Sequence, residues 1–414
     1  MTRSLPAPIP WSIAAFVVLA SALALPAPAQ PAPVISGFLT GRTAAVSGQP
    51  SWIEGGFGRL DLGAKEAHDT AWRSNAVAQL GADWTPASWL SLHAQVLGRA
   101  EPAANRGRRA GLVEAYAELH SETWRVRAGQ FFLGTSRENI GPLWTSPYAS
   151  SFSALNTWIG QEVRPIGVDV QWKPNFYVSS GVTAFRGNDS MGSMLAWRGW
   201  TVGNRLSVYN EALPLPPLFS LHNGFDDQRA DGTVPFERDL DGRTGFAARI
   251  RAQWPERALI QITRVDNRGD RNEYRGEYSW RTKYNIVSAQ AGTSSPVTAL
   301  AEYTWGSTGM GHPPIFVQAD FYAAYALLSW HQGSNRFTGR IDRFATIDRD
   351  GAPVETNTEH GTSWTLAWLH DLNPKLRLAT EFTQIAGDRI AAQESGADPN
   401  LDGRSITLEL RYAF

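Results

Sequence analysis

Residues 404–414 read RSITLELRYAF, and their alternation decides the fold. Ile406, Leu408, Leu410, Tyr412 and Phe414 fall on one side of an extended chain, and Ser405, Thr407, Glu409 and Arg411 on the other. A period of two is the signature of a β-strand, because successive side chains point to opposite faces. One face is wholly apolar and ends in aromatics, and the other is wholly polar. Such a strand suits a wall between an apolar medium and water.

The same pattern recurs upstream. Val113, Ala115, Ala117 and Leu119 alternate with Glu114, Tyr116, Glu118 and His120. Phe246, Ala248, Ile250, Ala252 and Trp254 alternate with Arg249, Arg251 and Gln253. Ile166, Val168, Val170 and Trp172 interleave with Asp169 and Gln171, while Val297, Ala299, Ala301, Tyr303 and Trp305 interleave with Thr298, Glu302 and Thr304. Short polar turns join many segments in pairs, as at 85–88, 173–175, 255–256, 294–296, 333–335 and 373–375. Between pairs the expected connections are longer: 101–110, 136–162, 188–244, 268–281, 306–316, 348–361 and 386–403. Short turns at one end and long loops at the other is the layout of an outer-membrane barrel.

Counting by parity predicts sixteen strands. One set runs over about 51–62, 88–100, 123–135, 175–187, 257–267, 297–307, 335–347 and 376–388. The returning set covers about 73–84, 110–121, 163–173, 244–254, 282–293, 318–331, 361–372 and 404–414. Residues 34–46 are left over as an N-terminal arm or a first strand, and 194–210 as a hairpin within a long loop; counting both as strands gives eighteen. The expected organisation is therefore a leader at 1–29, an arm or first strand at 30–50, and a barrel at 51–414.

Composition narrows the function classes. The chain has 414 residues, no Cys, and a formal charge of −1. Without Cys there is no disulfide framework, no thiolate nucleophile and no Cys-ligated metal. Near-neutral charge gives no basic footprint, so no nucleic-acid partner is expected. Arg3 followed by an apolar run at 11–25 and then Ala27-Pro28-Ala29 has the form of a cleaved secretory signal. The run is shorter than the roughly 20 residues a membrane helix needs. Losing Arg3 with the leader takes the charge from −1 to −2.

Aromatics cluster where strands meet turns: Trp84, Trp89, Trp124, Trp172, Phe176, Trp254, Tyr284 and Trp305. That placement matches the interfacial girdles of a lipid-facing barrel. With the amphipathic last strand ending in Phe414, the mature chain resembles Gram-negative outer-membrane porins of sixteen to eighteen strands, in the style of the phosphate- and substrate-selective ones. The resemblance implies an all-β, transmembrane, antiparallel up-and-down barrel in the outer membrane. It implies passive diffusion of small hydrophilic solutes. Its partners would be outer-membrane lipid and lipopolysaccharide, the barrel-assembly machinery acting through the last strand, and further copies in a homotrimer. No cofactor is implied. No motif fixes a subfamily.

Alternation also names a candidate pore lining. The cations are Arg59, Arg99, Arg125, Arg127, Arg249, Arg251, Arg340, Arg377 and Arg411. The anions are Asp61, Asp83, Glu114, Glu118, Asp169, Glu302, Asp320, Asp342, Glu381 and Glu409. Fixed charges of this kind would select solutes by sign and size. Arg125/Arg127 and Arg249/Arg251 stack two residues apart and suit phosphate or carboxylate, which guanidinium binds bidentately. The competing expectation, favoured at most positions, is Arg–carboxylate pairing that stiffens the wall. Inward aromatics at Tyr116, Tyr177, Phe185, Tyr322 and Trp330 would suit a sugar slide.

The long aromatic segment 136–162 is the expected constriction loop, with Arg137, Glu138, Trp144, Tyr148, Trp158 and Glu162 as its candidate residues. The alternative for this segment is an outer cap. A second loop, 188–244, contains the acidic run Phe225-Asp226-Asp227-Gln228-Arg229-Ala230-Asp231. Asp239-Leu240-Asp241-Gly242 and 398–403 resemble pieces of calcium loops, but neither has the full spacing, so ordinary Asp-Gly turns are expected and no metal site. His93 and His120 would lie on neighbouring polar faces near Glu118. No nucleophile elbow or metalloprotease helix appears, so no catalytic residue is named and an enzyme is not expected. Two rival readings are a secreted carbohydrate-binding β protein without a pore and an outer-membrane barrel hydrolase.

Overall fold

The computed structural model describes residues 31–414 except 68, 102, 105–106, 224–232, 235–237 and 352–355. The leader at 1–29 and the acidic run 225–231 lie outside the described residues. Sixteen strands close into one antiparallel barrel in which every strand pairs with its sequence neighbours. They are β1 (Val34–Gly48), β2 (Asp69–Ala87), β3 (Leu90–Arg99), β4 (Ala110–His120), β5 (Trp124–Gln130), β6 (Ile166–Trp172), β7 (Val178–Arg186) and β8 (Gly245–Trp254). The second half comprises β9 (Ala258–Asp266), β10 (Arg281–Ala291), β11 (Val297–His312), β12 (Ile315–Gln332), β13 (Asn335–Asp348), β14 (Glu359–Asn373), β15 (Leu376–Arg389) and β16 (Gly403–Ala413). Closure falls between β1 and β16, with Phe38 opposite Ala413. Among the described residues no strand edge is left unpaired, which is what lets a sheet sit in lipid.

The alternation sets the two surfaces. Outward positions carry Leu39, Trp72, Val182, Ile250, Ile262, Leu328, Trp364, Leu366, Ile406 and Leu408, all exposed. An apolar belt of this extent is stable against hydrocarbon, not against water. Trp124 and Trp172 pair at the turn end, 6.1 Å between ring centroids. Tyr412 stacks with Phe414 at 6.2 Å at the same end.

Three expectations about the wall need correction. Residues 34–46 are the core of β1, and 51–62 is not a strand. The segment 51–62 holds Gly55, Gly56 and Gly58, and Gly55 takes a left-handed φ of 82°. It forms a short turn capped by Ser51 and enters the barrel. The barrel thus starts at Val34, not at 51, and the count stays sixteen. Residues 194–210 form no hairpin. They begin in a helical turn and run inside the lumen, almost wholly buried. The long connection expected at 306–316 is absent, because β11 runs to His312 and β12 starts at Ile315.

One parity break also matters. Glu114 faces Gln95 while Leu112 faces Val96, so Val113 is a bulge residue. The bulge turns Val113 inward, fully buried, instead of outward as simple alternation predicts.

The interior is packed rather than open. Five tryptophans, Trp52, Trp158, Trp197, Trp200 and Trp280, are buried to within 1 % exposure. Helix α1 (Ala154–Glu162) has every residue buried. The helical turn α2 (Ser193–Trp197) is buried throughout as well, and α3 (Phe219–Asn223) follows it. Trp158 meets Tyr284 of β10 at 5.1 Å, Phe321 of β12 at 5.5 Å and Trp200 at 5.9 Å. Buried aromatics of this kind contribute about 1.5–3 kcal/mol each by apolar burial. The insert between β5 and β6, with parts of the segment between β7 and β8, therefore plugs the loop-side half of the lumen.

Candidate functional site

Residues 131–154 cross the lumen as a floor, and wall side chains hold it by its backbone. The Phe132 amide donates to Glu114 Oε2 (2.8 Å) on β4. Gln261 on β9 donates to the Gly134 carbonyl (2.7 Å). The Arg137 amide donates to Glu302 on β11 (3.0 Å), and Ser150 to Glu381 on β15 (2.8 Å). Ala154, the first residue of α1, donates to Asp342 on β13 (3.0 Å). A carboxylate that accepts backbone N–H groups is well satisfied without water. Glu114, Glu302, Asp342 and Glu381 were candidate pore-lining charges, with wall-stiffening pairs to Arg the favoured expectation at most such positions. Each is 8 % exposed or less, and each instead anchors the insert.

At its tip the insert is clasped to β2 and β3. Gln79 and Gln95 both donate to the Leu143 carbonyl, at 3.1 and 3.2 Å. Leu143 and Trp144 are consecutive non-glycine residues at positive φ, 53° and 56°. That backbone is strained and persists only where surroundings over-determine it. Here the surroundings are the two glutamines and a slot over Gly81, where an added Cβ would come within 2.6 Å of Leu143 Cδ2. Trp144 stacks on Phe132 at 4.1 Å.

The expected constriction residues divide accordingly. Glu138 has no exposure and accepts from the Ser153 amide (2.9 Å), from Asn156 (2.9 Å) and from Arg340 (2.9 Å). Glu162, also fully buried, ties α1 to α2 through Trp158 Nε1 (2.6 Å), Ser193 Oγ (3.0 Å) and the Met194 amide (3.1 Å). Burial pushes both carboxyls above the usual range, with Arg340 pulling Glu138 back and the Met194 amide pulling Glu162 back. Neither lines a passage, because each is consumed in holding the insert together. Trp158 is core. Tyr148 is nearly buried, with its hydroxyl 3.3 Å from Gln290 Nε2. Arg137 remains half-exposed and bonds Gln290 (3.0 Å). Trp144 borders a cleft of about 60 Å³ between the insert and the β1–β3 and β16 wall, which Arg42, Arg99, Arg205 and Arg411 also line. A water needs about 10–15 Å³ of such space, so the cleft holds a few waters.

Arginines are mostly neutralised in pairs. Glu118 sits between Arg127 (3.0 Å) and Arg125 (3.7 Å). Glu359 bridges Arg59 (2.5 Å) and Arg389 (3.0 Å), and Glu409 bridges Arg411 (3.1 Å) and Arg42 (3.5 Å). Glu211 holds Arg99 at 2.8 Å and also Arg205. Arg249 is bidentate to Asp169, at 2.7 and 2.8 Å, with its guanidinium lying over Gly181, where a side chain would collide. Arg377 pairs with Asp371 at 2.6 Å. These contacts match the wall-stiffening expectation. Arg59 reaches the lumen from the turn at 51–62 and not from a strand. Asp320 contradicts its assignment: on β12 the odd-numbered residues face in, so Asp320 faces out and pairs with Arg349 (2.7 Å). The same parity puts Tyr322 and Trp330 outside, and Tyr177 lies exposed just before β7, so no sugar slide forms along these residues.

His93 and His120 do not meet. His93 lies opposite Tyr116, four residues along β4 from His120, and its Nδ1 is 2.7 Å from Asp83 Oδ1. Asp239 and Asp241 accept turn amides from Gly242 (3.0 Å) and Arg243 (2.8 Å), as ordinary Asp turns do. With Asp189 they bring three carboxylates within 4.8 Å of one another. Parity reading missed Arg42, Arg205, Glu211, Glu359 and Arg389. Arg42 was legible in the Thr40, Arg42, Ala44 alternation; the others lie in loops or at strand ends, where alternation carries no signal.

No protein-family model matches the chain. No curated protein sequence matches it either. Solved structures do match in fold. The outer membrane channel DcaP of Acinetobacter baumannii is 13% identical, covering 92% of this chain and 97% of its own, with a TM-score of 0.57. An anion-selective porin from Comamonas acidovorans is 10% identical over 92% and 99%, at 0.53. OprB of Pseudomonas putida is 12% identical over 92% and 94%, at 0.52. What this chain shares with them is the porin-type barrel fold, here closed with sixteen strands.

Proposed function

We propose that this protein is an outer-membrane channel for passive diffusion of small hydrophilic solutes, and not an enzyme. The observation that carries this reading is the division of the barrel into an apolar outer belt and an inner wall of paired charges and amides. A soluble binder would have no use for the belt, and a packed small barrel would not place so many arginines inside. The fold likeness to channels and porins supports the same reading. Charge selection belongs to the turn-side vestibule, where Arg125, Arg127, Arg251 and Arg377 keep part of their surface, with Glu118 and Asp371 among their partners. Passage to the loop side requires the insert to yield along the β1–β3 wall, where it leaves the 60 Å³ cleft.

Outer-leaflet lipid and lipopolysaccharide would meet the outward-facing Lys283 and Arg281 near the loop end of β10. Insertion by the barrel-assembly machinery through β16 and assembly as a homotrimer belong to the same reading. The test is swelling of vesicles carrying the folded protein in isotonic small solutes. Swelling that slows as solute size rises supports the channel. Vesicles no leakier than protein-free controls would refute it.

A further inference from the structure

The turn-side vestibule carries a cluster of cations that its own carboxylates do not neutralise. Among the described residues, Arg251 on β8 bonds only the neutral Gln261, at 2.7 and 2.9 Å. The charged groups that act on it are Arg137, Arg249 and Arg125, all arginines. Arg137 likewise bonds a neutral amide, Gln290. Arg125 shares Glu118 with Arg127, which leaves one positive charge over for that pair. Among the described residues the buried Nε of Arg137 has no hydrogen-bond partner, and that of Arg125 faces Glu118 at 3.7 Å, beyond hydrogen-bond distance. Asp169, the nearby acid, is fully engaged by Arg249 and by Thr183 (2.6 Å). Beside these groups lies a cavity of about 390 Å³, lined by Arg125, Arg251 and Lys173, by Gln171, Gln253 and His120, and by one carboxylate, the exposed Glu122, so cations outnumber the acid three to one.

We infer that this cavity is a docking site for a solute bearing a carboxylate or phosphate group. The inference rests on the channel reading for its purpose, but the site itself is defined by charge and geometry alone. Planar guanidinium groups with free N–H donors match oxyanions in two-point contact. Uncompensated cations in a partly enclosed cavity also raise the local anion concentration, an effect that salt screens. Arg249 is not part of the site, because Asp169 already holds both of its terminal nitrogens. Lys173 at the rim supplies a steering charge. The sequence pairs Arg125/Arg127 and Arg249/Arg251 thus split by role. One member of each pair is spent on the wall, and the other faces the cavity.

The experiment uses inorganic phosphate as probe and compares the folded full chain with the R125Q/R251Q double variant. In detergent at low ionic strength, ³¹P line broadening reads binding without reference to flux. The wild type should broaden the phosphate signal in a saturable, salt-sensitive manner. In the variant, affinity should fall by about tenfold or more, the loss expected when charge-assisted hydrogen bonds to an ion are removed. In planar bilayers the wild type should prefer anions over cations, and the variant should lose that preference. Equal broadening by both proteins, or a cation-selective wild type, overturns the inference. A chain that binds phosphate but never conducts keeps the site and removes the channel. A chain that conducts without binding phosphate does the reverse. Arg127 still pairs with Glu118 in the variant, and K173Q supplies a second, milder test if refolding of the double variant fails.

Discussion

Arg340 Nη1 on the wall lies 2.9 Å from Glu138 Oε1 on the luminal insert, and neither side chain has any solvent exposure. Arg340 also bonds Asp342 (3.1 Å) and the carbonyls of Ser151 and Phe152 (both 2.9 Å). One guanidinium therefore serves the wall and the insert together. Replacing it with Met leaves Glu138 and Asp342 buried without their cation. Breaking a buried pair in this way is destabilising by about 3–5 kcal/mol. Urea unfolding of R340M in lipid vesicles should show that loss, and an unchanged midpoint would contradict the pairing.

Glu381 holds the insert from the other side, accepting from Ser150 (2.8 Å) and Ser151 (3.2 Å). E381A removes a charged acceptor from two amides, each bond being about 1.5–3 kcal/mol. The barrel wall is untouched, so heat-modifiable gel migration should persist. Hydrogen exchange at 148–153 should accelerate, with β16 unaffected. Uniform acceleration across the barrel would assign Glu381 to the wall alone.

The Leu143 clasp can be locked. The chain has no cysteine, so G81C/L143C introduces the sole pair. The Gly81 Cβ position lies 3.7 Å from Leu143 Cγ and 2.6 Å from Cδ2, which places the two residues within reach of a disulfide. Oxidation should lower solute flux through vesicles, and dithiothreitol should restore it. Flux indifferent to the redox state would mean that the passage does not run past this turn.

Asp189, in the segment after β7, is 3 % exposed. Burial first, and then the negative Asp241, push its carboxyl up to about 7. An unfolded Asp titrates near about 4. The folded form binds its proton more tightly, so the packing of this segment is most stable below about 4. That stability falls as pH rises and is lost above about 7. The Trp280 amide donates to the Asp189 carbonyl at 2.6 Å and reports on the contact. Its protection factor, the observed exchange rate set against the intrinsic rate at each pH, should fall between pH 5 and 8 in the wild type and stay level in D189N. A pH-independent wild type would contradict the buried, proton-binding carboxyl.

Much of the wall was legible because one residue's parity predicts the next. The outward set of β16, from Ile406 to Tyr412, needed nothing but alternation. Reading failed where parity is interrupted or silent. Val113 sits in a bulge, and Asp320 lies on a strand whose inward register is fixed by Phe321 and Tyr325, two aromatics that face the lumen because the insert packs there. The short turn at 51–62 mimics a strand in composition, yet its glycines let it bend inward. The anchoring role of three lumen carboxylates was not legible. Glu114, Glu302 and Glu381 have the residue type and face of a charge filter. Their role as anchors depends on amides of the insert, far away in sequence, that alternation cannot place opposite them.

Single-channel conductance of the folded wild-type chain in a planar bilayer tests the central claim most directly. The account predicts discrete, small conductance steps, because an insert anchored to β4, β9, β11, β13 and β15 fills the lumen and yields only along β1–β3. A steady, large ohmic conductance would contradict the anchored insert. Silence from a heat-modifiable, folded barrel would contradict the channel.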